Sequence, residues 1–181
     1  MEDLDYFSKS FYKNCIKTEV FKSKKCSLLK KIWFKYFKPE TNSVYLIRKY
    51  LYKTHHSPRG LAHRFLRTKL ITKYGIHVSQ NTRIGFGLDI RHPSNIMITN
   101  AQIGENCTIF HSVTIGAKYK EADINNSPII GNNVTFFSNS ACYGKIVIVD
   151  GVSLGSFSCA LGDITQPGVY VGVGKDMRKI D

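Results

Sequence analysis

Two histidines in the second half of the chain, His92 and His111, have side chains suited to proton transfer. Each stands two residues after an isoleucine, Ile90 and Ile109 respectively. An imidazole with an ordinary pKa of about 6.5 can accept the proton of a hydroxyl near neutral pH, which makes that hydroxyl a better nucleophile. Two histidines fall short of a three-ligand catalytic zinc site, and the five cysteines show no CxxC spacing, so we expect no metal. A lone histidine is more often structural, so its role must be judged from its surroundings.

A six-residue repeat surrounds both histidines and predicts the fold. Aliphatic or small residues recur every six positions, often followed by glycine, and a second small or aliphatic residue stands four positions after most of them, with Ser94 in this second set. Such a fixed short period is typical of a stacked solenoid, the hexapeptide β-helix, whose inward residues fill a narrow core. The predicted inward steps are Ile84, Ile90, Ile96, Ile103, Ile109, Ile115, Ile130, Phe136, Cys142, Ile148, Leu154 and Ala160.

The repeat is interrupted once, between Ile115-Gly116 and Ile130-Gly131, where 15 positions separate the two steps. The intervening segment is polar and contains Pro128, so we expect a loop extruded from the coil at about 117–128. Cys107 and Cys142 fall on inward positions and are expected to be small buried hydrophobic residues. The predicted organisation is a helical region over 1–75 and a β-helix domain over 76–181.

The N-terminal region is helical by pattern and carries the whole net charge. Residues 1–75 contain 18 Lys and Arg against 5 Asp and Glu, whereas residues 76–181 contain 8 of each. Apolar residues at helical spacing predict helices over 4–21, 27–37, 42–53 and 61–74, with Pro39 ending the second and Gly75 capping the last.

This basic region predicts an anionic partner, and two interpretations of it stay open. In one, the aromatic and basic residues around Trp33 lie at an anionic membrane surface. In the other, the apolar stripes pack against each other or a neighbouring subunit. Nucleic acid is not expected because no recognition motif accompanies the charge. The chain shows no apolar run long enough to span a membrane and no signal peptide, which predicts a cytoplasmic protein, peripheral to the membrane in the first interpretation.

The segment from Tyr74 to Gly116 resembles the hexapeptide-repeat acyltransferases. It combines an IGFGLDI strand followed by Arg91-His92-Pro93 with the later IGENCTI and VTIG segments. Within that family it resembles the serine acetyltransferase branch, which includes many capsule and exopolysaccharide O-acetyltransferases. The resemblance covers roughly residues 60–175. It implies a left-handed parallel β-helix, a homotrimer, acetyl-CoA as acetyl donor and an active site between neighbouring subunits.

The resemblance implies that His92 is the catalytic base, which takes a proton from the acceptor hydroxyl as that oxygen attacks the thioester of acetyl-CoA. Because three hexapeptides form one coil in this family, His111 is expected on the neighbouring strand, about 4.8 Å away across the sheet. His111 is then either a second residue that contacts acceptor or cofactor, or a polar residue at the trimer contact.

Three departures from the serine acetyltransferases bear on the acceptor. Arg91 and Ser127 occupy positions where those enzymes carry an acidic residue and a second histidine, and Gly75 replaces another acidic residue. A cation at Arg91 repels an ammonium group, which favours a sugar hydroxyl over free serine. Asp89 lies close in sequence, and either it or a backbone carbonyl is expected to orient His92.

The resemblance also marks positions along the groove where acetyl-CoA lies in the family. Gly116 and Ala117 match the segment that lines the pantetheine arm, and Ser140 and Ser158 fall where the family has small residues. Lys175, near the C-terminus, is a candidate for the CoA phosphates.

We therefore expect an acetyl-CoA-dependent O-acetyltransferase that modifies a sugar hydroxyl of a surface polysaccharide, such as a capsule, or its lipid-linked precursor. One alternative is serine O-acetyltransferase of cysteine biosynthesis. A second is a non-catalytic solenoid scaffold at the membrane surface, although the presence of His92 favours an enzyme.

Overall fold

The computed structural model describes residues 5–21, 27–117 and 126–180. Within these ranges the chain begins with helices and continues as a parallel β-solenoid of about five turns, which confirms the predicted fold class. The helices are α1 (Lys9–Cys15), which continues as a π-helical turn (Ile16–Val20), α2 (Leu28–Tyr36), α3 (Pro39–His56) and α4 (Ala62–Tyr74).

The break between α2 and α3 differs from the prediction that Pro39 ends a helix. Pro39 is instead the first residue of α3, where its missing N–H costs nothing and its fixed φ suits the first turn. Two side chains of α3 donate hydrogen bonds to carbonyls in the last turn of α2. Thr41 Oγ1 donates to the carbonyl of Phe34, and Asn42 Nδ2 donates to that of Lys35 at 2.6 Å. At the end of α4, Gly75 adopts φ 64° and caps the helix as predicted.

The solenoid has three sides, each a sheet in which strands from successive coils pair in parallel. Only the last pair, β14 with β15, is antiparallel among the described residues. One side contains β1 (His77–Val78), β4 (Met97–Ile98), β7 (Thr114–Gly116), β10 (Ala141–Tyr143) and β13 (Cys159–Ala160). The second contains β2 (Arg83–Ile84), β5 (Gln102–Ile103), β8 (Ile129–Ile130) and β11 (Val147–Ile148). The third contains β3 (Asp89–Ile90), β6 (Thr108–Ile109), β9 (Thr135–Phe136), β12 (Val152–Leu154), β14 (Gly168–Val171) and β15 (Arg178–Lys179).

The inward residues of the repeat form the core, as the six-residue period predicts. Every predicted step from Ile84 to Ala160 is at most 2% exposed. Cys107 and Cys142 are fully buried, and burial raises the pKa of the Cys107 thiol to about 12, so it stays protonated. Ser94 is the exception among the second positions, because it is exposed on a corner that is longer than the repeat predicts.

A buried ion pair attaches the helical region to the open end of the solenoid. Arg48 on α3 donates to both carboxylate oxygens of Glu19, at 2.9 and 2.6 Å, and to the carbonyls of Ile84 and Gly85 at 2.6 Å each. Because β2 is the edge strand of its sheet, Arg48 caps carbonyls at an otherwise unpaired edge. Glu19 in turn accepts from the backbone N–H of Gly87 and of Leu88, at 2.9 and 3.1 Å.

The predicted loop at 117–128 leaves the coil between β7 and β8, and its residues 118–125 lie outside the described part of the chain. In the described ranges, the helices are all too short or too polar to cross a membrane.

Candidate functional site

His92 lies on a corner of the first coil that is two residues longer than its neighbour. Ile90 pairs with Ile109, and Ile98 pairs with Ile115. Ile98 comes eight positions after Ile90, whereas Ile115 comes six positions after Ile109. The extra residues follow β3 directly, so the chain bulges outward between β3 and β4. His92 is exposed on this bulge.

The backbone of the bulge is left-handed at two residues, His92 with φ 54° and Asn95 with φ 52°. Asn95 stands three positions before the inward Ile98, the place where other corners also have a left-handed residue, such as Asn106 before Ile109. His92 is therefore the additional one. A non-glycine residue in this region costs about 1–3 kcal/mol, and such residues cluster at functional sites.

His111 occupies the equivalent place on the next coil, as the repeat predicts. The ring centroids of His92 and His111 are 6.3 Å apart, and the rings meet nearly edge to face at 72°. Nδ1 of His111 is 3.3 Å from the hydroxyl of Ser138, which lies one coil further on. Stacked rings of Phe110 and Phe137, with centroids 5.2 Å apart, support this edge of the corner.

Asp89 and Arg91 form an ion pair beside His92, with 2.6 Å between Arg91 Nε and an Asp89 carboxylate oxygen. The pair is accessible, since the two side chains are 28% and 55% exposed. Asp89 thus bonds to Arg91 and does not orient His92, whose ring makes no hydrogen bond to any described residue. The charge of Arg91 is compensated, which removes the physical reason for excluding an ammonium group from this corner.

A cavity of about 460 Å³ opens on the other side of Asp89, between the helices and the third sheet. Its walls carry the carboxylates of Glu19, Glu40 and Asp89. Sequence reasoning missed Glu19 and Glu40, because their approach to Asp89 depends on how the helices pack on the coil.

The predicted cofactor positions fall on different surfaces. Gly116 is buried at the end of β7, and a Cβ there would lie 2.2 Å from Thr99 Oγ1, so a larger residue would require the Thr99 side chain to move. Ser140 and Ser158 point into the solenoid and donate to the carbonyls of Phe137 and Tyr170, at 2.6 and 3.4 Å. Only their backbone groups can line an outer groove. Two further candidates, Ala117 (half-buried) and Lys175 (exposed, on a 3₁₀ turn at Gly174–Asp176), remain accessible.

Ser127, at the position of the second family histidine, is buried at 3% exposure. Across 5–21, 27–117 and 126–180, no three His, Cys, Asp or Glu side chains gather in a group that could hold a metal ion.

The fold is the β-solenoid of the hexapeptide-repeat acyltransferases, and one of its corners brings the exposed His92 beside the half-buried His111. No family model matches the chain. The chain has serine acetyltransferases as homologues: it is 33% identical over 118 residues to the serine acetyltransferase of Buchnera aphidicola subsp. Schizaphis graminum, a match that covers 64% of this chain and 45% of that protein. The chain thus spans about half the length of this relative.

Solved structures of serine acetyltransferases have the same fold. The Neisseria gonorrhoeae serine acetyltransferase in complex with serine superposes with a TM-score of 0.78 at 20% identity, over 97% of this chain and 72% of that one. A serine acetyltransferase in complex with CoA gives a TM-score of 0.73 at 15% identity, over 97% and 72%.

These comparisons correct one prediction. The expected function, acetylation of a surface polysaccharide or its precursor, is wrong, because the similar proteins are serine acetyltransferases. The prediction treated Arg91 as a free cation, whereas the structure pairs it with Asp89.

Proposed function

We propose that the chain is a serine O-acetyltransferase that uses acetyl-CoA, with His92 as its catalytic base. The observation that carries the proposal is the exposed, left-handed His92 on an enlarged corner beside His111, within a segment similar to serine acetyltransferases. The side chain has no hydrogen-bond partner among the described residues, so its ring is available to a substrate hydroxyl.

The chemistry requires one group that accepts and then returns a proton. Acetyl-CoA supplies an acetyl group activated as a thioester. His92 takes the proton of the serine hydroxyl while the oxygen attacks the thioester carbon, and the imidazolium then protonates the sulfur as the C–S bond breaks. The products are O-acetylserine and CoA, and His92 ends neutral. The backbone of Gly116 and Ala117 and the charge of Lys175 are proposed to contact the donor, as the resemblance to the family implies.

The Asp89–Arg91 pair gives a reason for serine as acceptor. A free amino acid carries an ammonium and a carboxylate, which are complementary to Asp89 and Arg91 respectively. Because exposed ion pairs contribute only about 0–1 kcal/mol, the pair can exchange its internal contact for contacts to a zwitterion at small cost. His111 stands next to His92 at the same corner and is proposed to contact the bound substrates.

The test of the base is the release of CoA thiol from acetyl-CoA and L-serine. We expect His92→Ala to lower kcat/KM by about 10²–10⁴-fold, the usual contribution of a general base. The matched control is His56→Ala, which removes another exposed histidine, on α3. Near-normal turnover by His92→Ala would remove this residue from the mechanism.

The test of the acceptor uses Asp89→Asn and Arg91→Gln. We expect each to raise KM for L-serine with a smaller effect on kcat, and both to leave KM for acetyl-CoA unchanged. If L-serine is not acetylated by the unaltered chain at any concentration, the proposal of a serine acceptor fails even if His92 is essential for another hydroxyl.

We also propose a homotrimer, as in the family that the sequence resembles, with the corner of His92 between neighbouring subunits. Light scattering should then give about three times the chain mass of 20.5 kDa. A monomer that is fully active would contradict it.

A second proposal concerns α2, which we infer contacts an anionic lipid surface. No residue of α2 is buried, and its large apolar side chains Leu28, Leu29, Trp33 and Tyr36 are 74%, 79%, 57% and 48% exposed. Residues 22–38 contain seven lysines and no acidic residue. Four of these lysines lie in the described residues 27–38, so a second copy on this face would bring eight positive charges together, whereas an anionic lipid surface complements both the charge and the apolar side chains.

Co-sedimentation with vesicles tests this contact. We expect binding to vesicles that contain phosphatidylserine, weaker binding at high salt, and loss of binding in Leu29→Ser with Trp33→Ser. The control is Phe65→Ser, an exposed apolar residue on α4. Equal recovery in the supernatant with anionic and neutral vesicles would overturn the proposal.

A further inference from the structure

A cavity of about 510 Å³ lies between α4 and the outer face of the first solenoid side, away from the corner of His92. Residues of α4 form one wall, and β1 and β4 with the turn after β1 form the other. Neither His92 nor His111 lines it. Its volume lies within the range of small-molecule sites.

The walls of this cavity carry positive and neutral hydrogen-bond donors but no carboxylate. Arg64 and Arg67 lie one turn apart on the same face of α4, with His63 beside them, and His77 faces them from β1. Within the described residues neither arginine forms an ion pair or a side-chain hydrogen bond. Two guanidinium groups that share one cavity repel each other, so the arrangement is stabilised when an anion lies between them.

Two further observations mark the inside of the cavity as a place for a polar ligand. Nδ1 of His63 is buried and has no hydrogen-bond partner in the part of the chain that the structure describes. A buried nitrogen of this kind normally has a partner in a folded protein. The phenol of Tyr50, which lines the same cavity, has a pKa raised by burial, while the nearby charge of Arg67 acts to lower it.

We propose that this cavity binds the phosphate group of a small phosphorylated molecule. A phosphate has enough acceptor oxygens for both guanidinium forks and for a histidine N–H, whereas a single carboxylate has two oxygens. The cavity is larger than a phosphate ion, so the rest of the molecule has room against Met97, Thr99 and Asn100.

The cavity adjoins one end of the proposed acetyl-CoA path. It lies on β1 and β4, strands of the first two coils, and its residue Thr99 is beside Gly116, since a Cβ on Gly116 would lie 2.2 Å from Thr99 Oγ1. Ala117 follows β7, and Lys175 lies near the C-terminus of the chain. Phosphate binding in the cavity and acetyl transfer at His92 are measured separately, so each proposal can fail without the other.

Histidine ring NMR of the full chain tests the proposal. We expect inorganic phosphate to shift the ring signals of His63 and His77 in a saturable manner and to leave those of His92 unchanged. Sodium acetate at equal ionic strength should have little effect. We expect Arg64→Gln with Arg67→Gln to weaken phosphate binding by about tenfold or more. The control, Arg59→Gln with Lys69→Gln, removes the same charge from exposed positions outside the cavity and should bind as the unaltered chain does.

Three outcomes would overturn the proposal. The first is the absence of a saturable shift at His63 and His77. The second is equal binding of acetate and phosphate, or equal weakening in both double variants, which would indicate general charge attraction. The third is a raised KM for acetyl-CoA in Arg64→Gln with Arg67→Gln alone, which would make the cavity part of the cosubstrate site.

Discussion

Replacement of Arg48 by methionine should lower the free energy of unfolding by about 3–5 kcal/mol, the usual cost of leaving one partner of a buried ion pair without the other. Arg48 and Glu19 have side chains that are 3% and 1% exposed, so water does not compensate the loss. Methionine fills a similar volume but leaves the Glu19 carboxylate without a cation, although it still accepts from the N–H groups of Gly87 and Leu88. It also leaves the carbonyls of Ile84 and Gly85 without the donor that caps them.

Urea denaturation followed by far-ultraviolet circular dichroism measures this change. The matched control is Lys49→Met, at the next position of α3. Lys49 is half-buried, and its Nζ lies 5.6 Å from the centre of the Tyr45 ring, so we expect its loss to cost less than about 1 kcal/mol.

A double variant separates the uncompensated charge from lost packing. Glu19→Gln with Arg48→Met removes both charges, so it should be more stable than Arg48→Met alone. The reasoning is refuted if Arg48→Met costs less than about 1 kcal/mol, or if the double variant is no more stable than the single one.

Two further predictions concern the backbone and the core. Gly87→Ala should destabilise the chain by at least about 1 kcal/mol in urea denaturation, because φ is +82° and the new Cβ would lie 2.2 Å from Asn106 Oδ1. The control, Gly162→Ala, has open space around the new Cβ and should change stability by less than about 0.5 kcal/mol. Equal effects of the two substitutions would contradict this reasoning. Burial raises the pKa of Cys107 to about 12, so the folded state holds the thiol proton more tightly than the unfolded state does. The free energy of unfolding should therefore fall as pH rises from about 9 towards 12. Cys107→Ala should show a shallower fall, and a pH profile identical to that of the unaltered chain would contradict this prediction.

The repeat could be predicted from the sequence because its signal is local. A period of six places most inward residues by counting, and Ile90 pairs with Ile109, which is 19 positions on and so one residue beyond three repeats. The same counting fails at Ser94, because a corner with two extra residues shifts the phase. The length of that corner depends on which residue of the next strand pairs with the coil above. The prediction took Ile96 as that residue, whereas Ile98 is the one that pairs with Ile115.

The Asp89–Arg91 pair was within reach of the sequence but was not predicted. Residues two apart on a strand point to the same face, so an acid and an arginine at 89 and 91 are expected to meet. The prediction considered the charge of Arg91 without that of Asp89, and for this reason it favoured a sugar hydroxyl as the acceptor, which is wrong. The pair of Glu19 with Arg48 had no such signal, since 29 positions separate the two residues and only the packing of the π-helical turn on α3 brings them together.

The first coil carries one of this chain's departures from its own repeat, the long corner of His92, and the loop at 117–128 in a later coil is another. Strands of the inner coils pair with a coil on each side. The first coil has an open edge, which Arg48 and Glu19 cap from the helical region at Ile84 to Leu88, just before the strand that leads to His92. Because that strand is held from the helices as well as from the next coil, the following corner can carry two extra residues and a left-handed histidine without loss of register. The helical region is thus expected to position the proposed base, and variants at the cap should alter the corner of His92 before they alter the later coils.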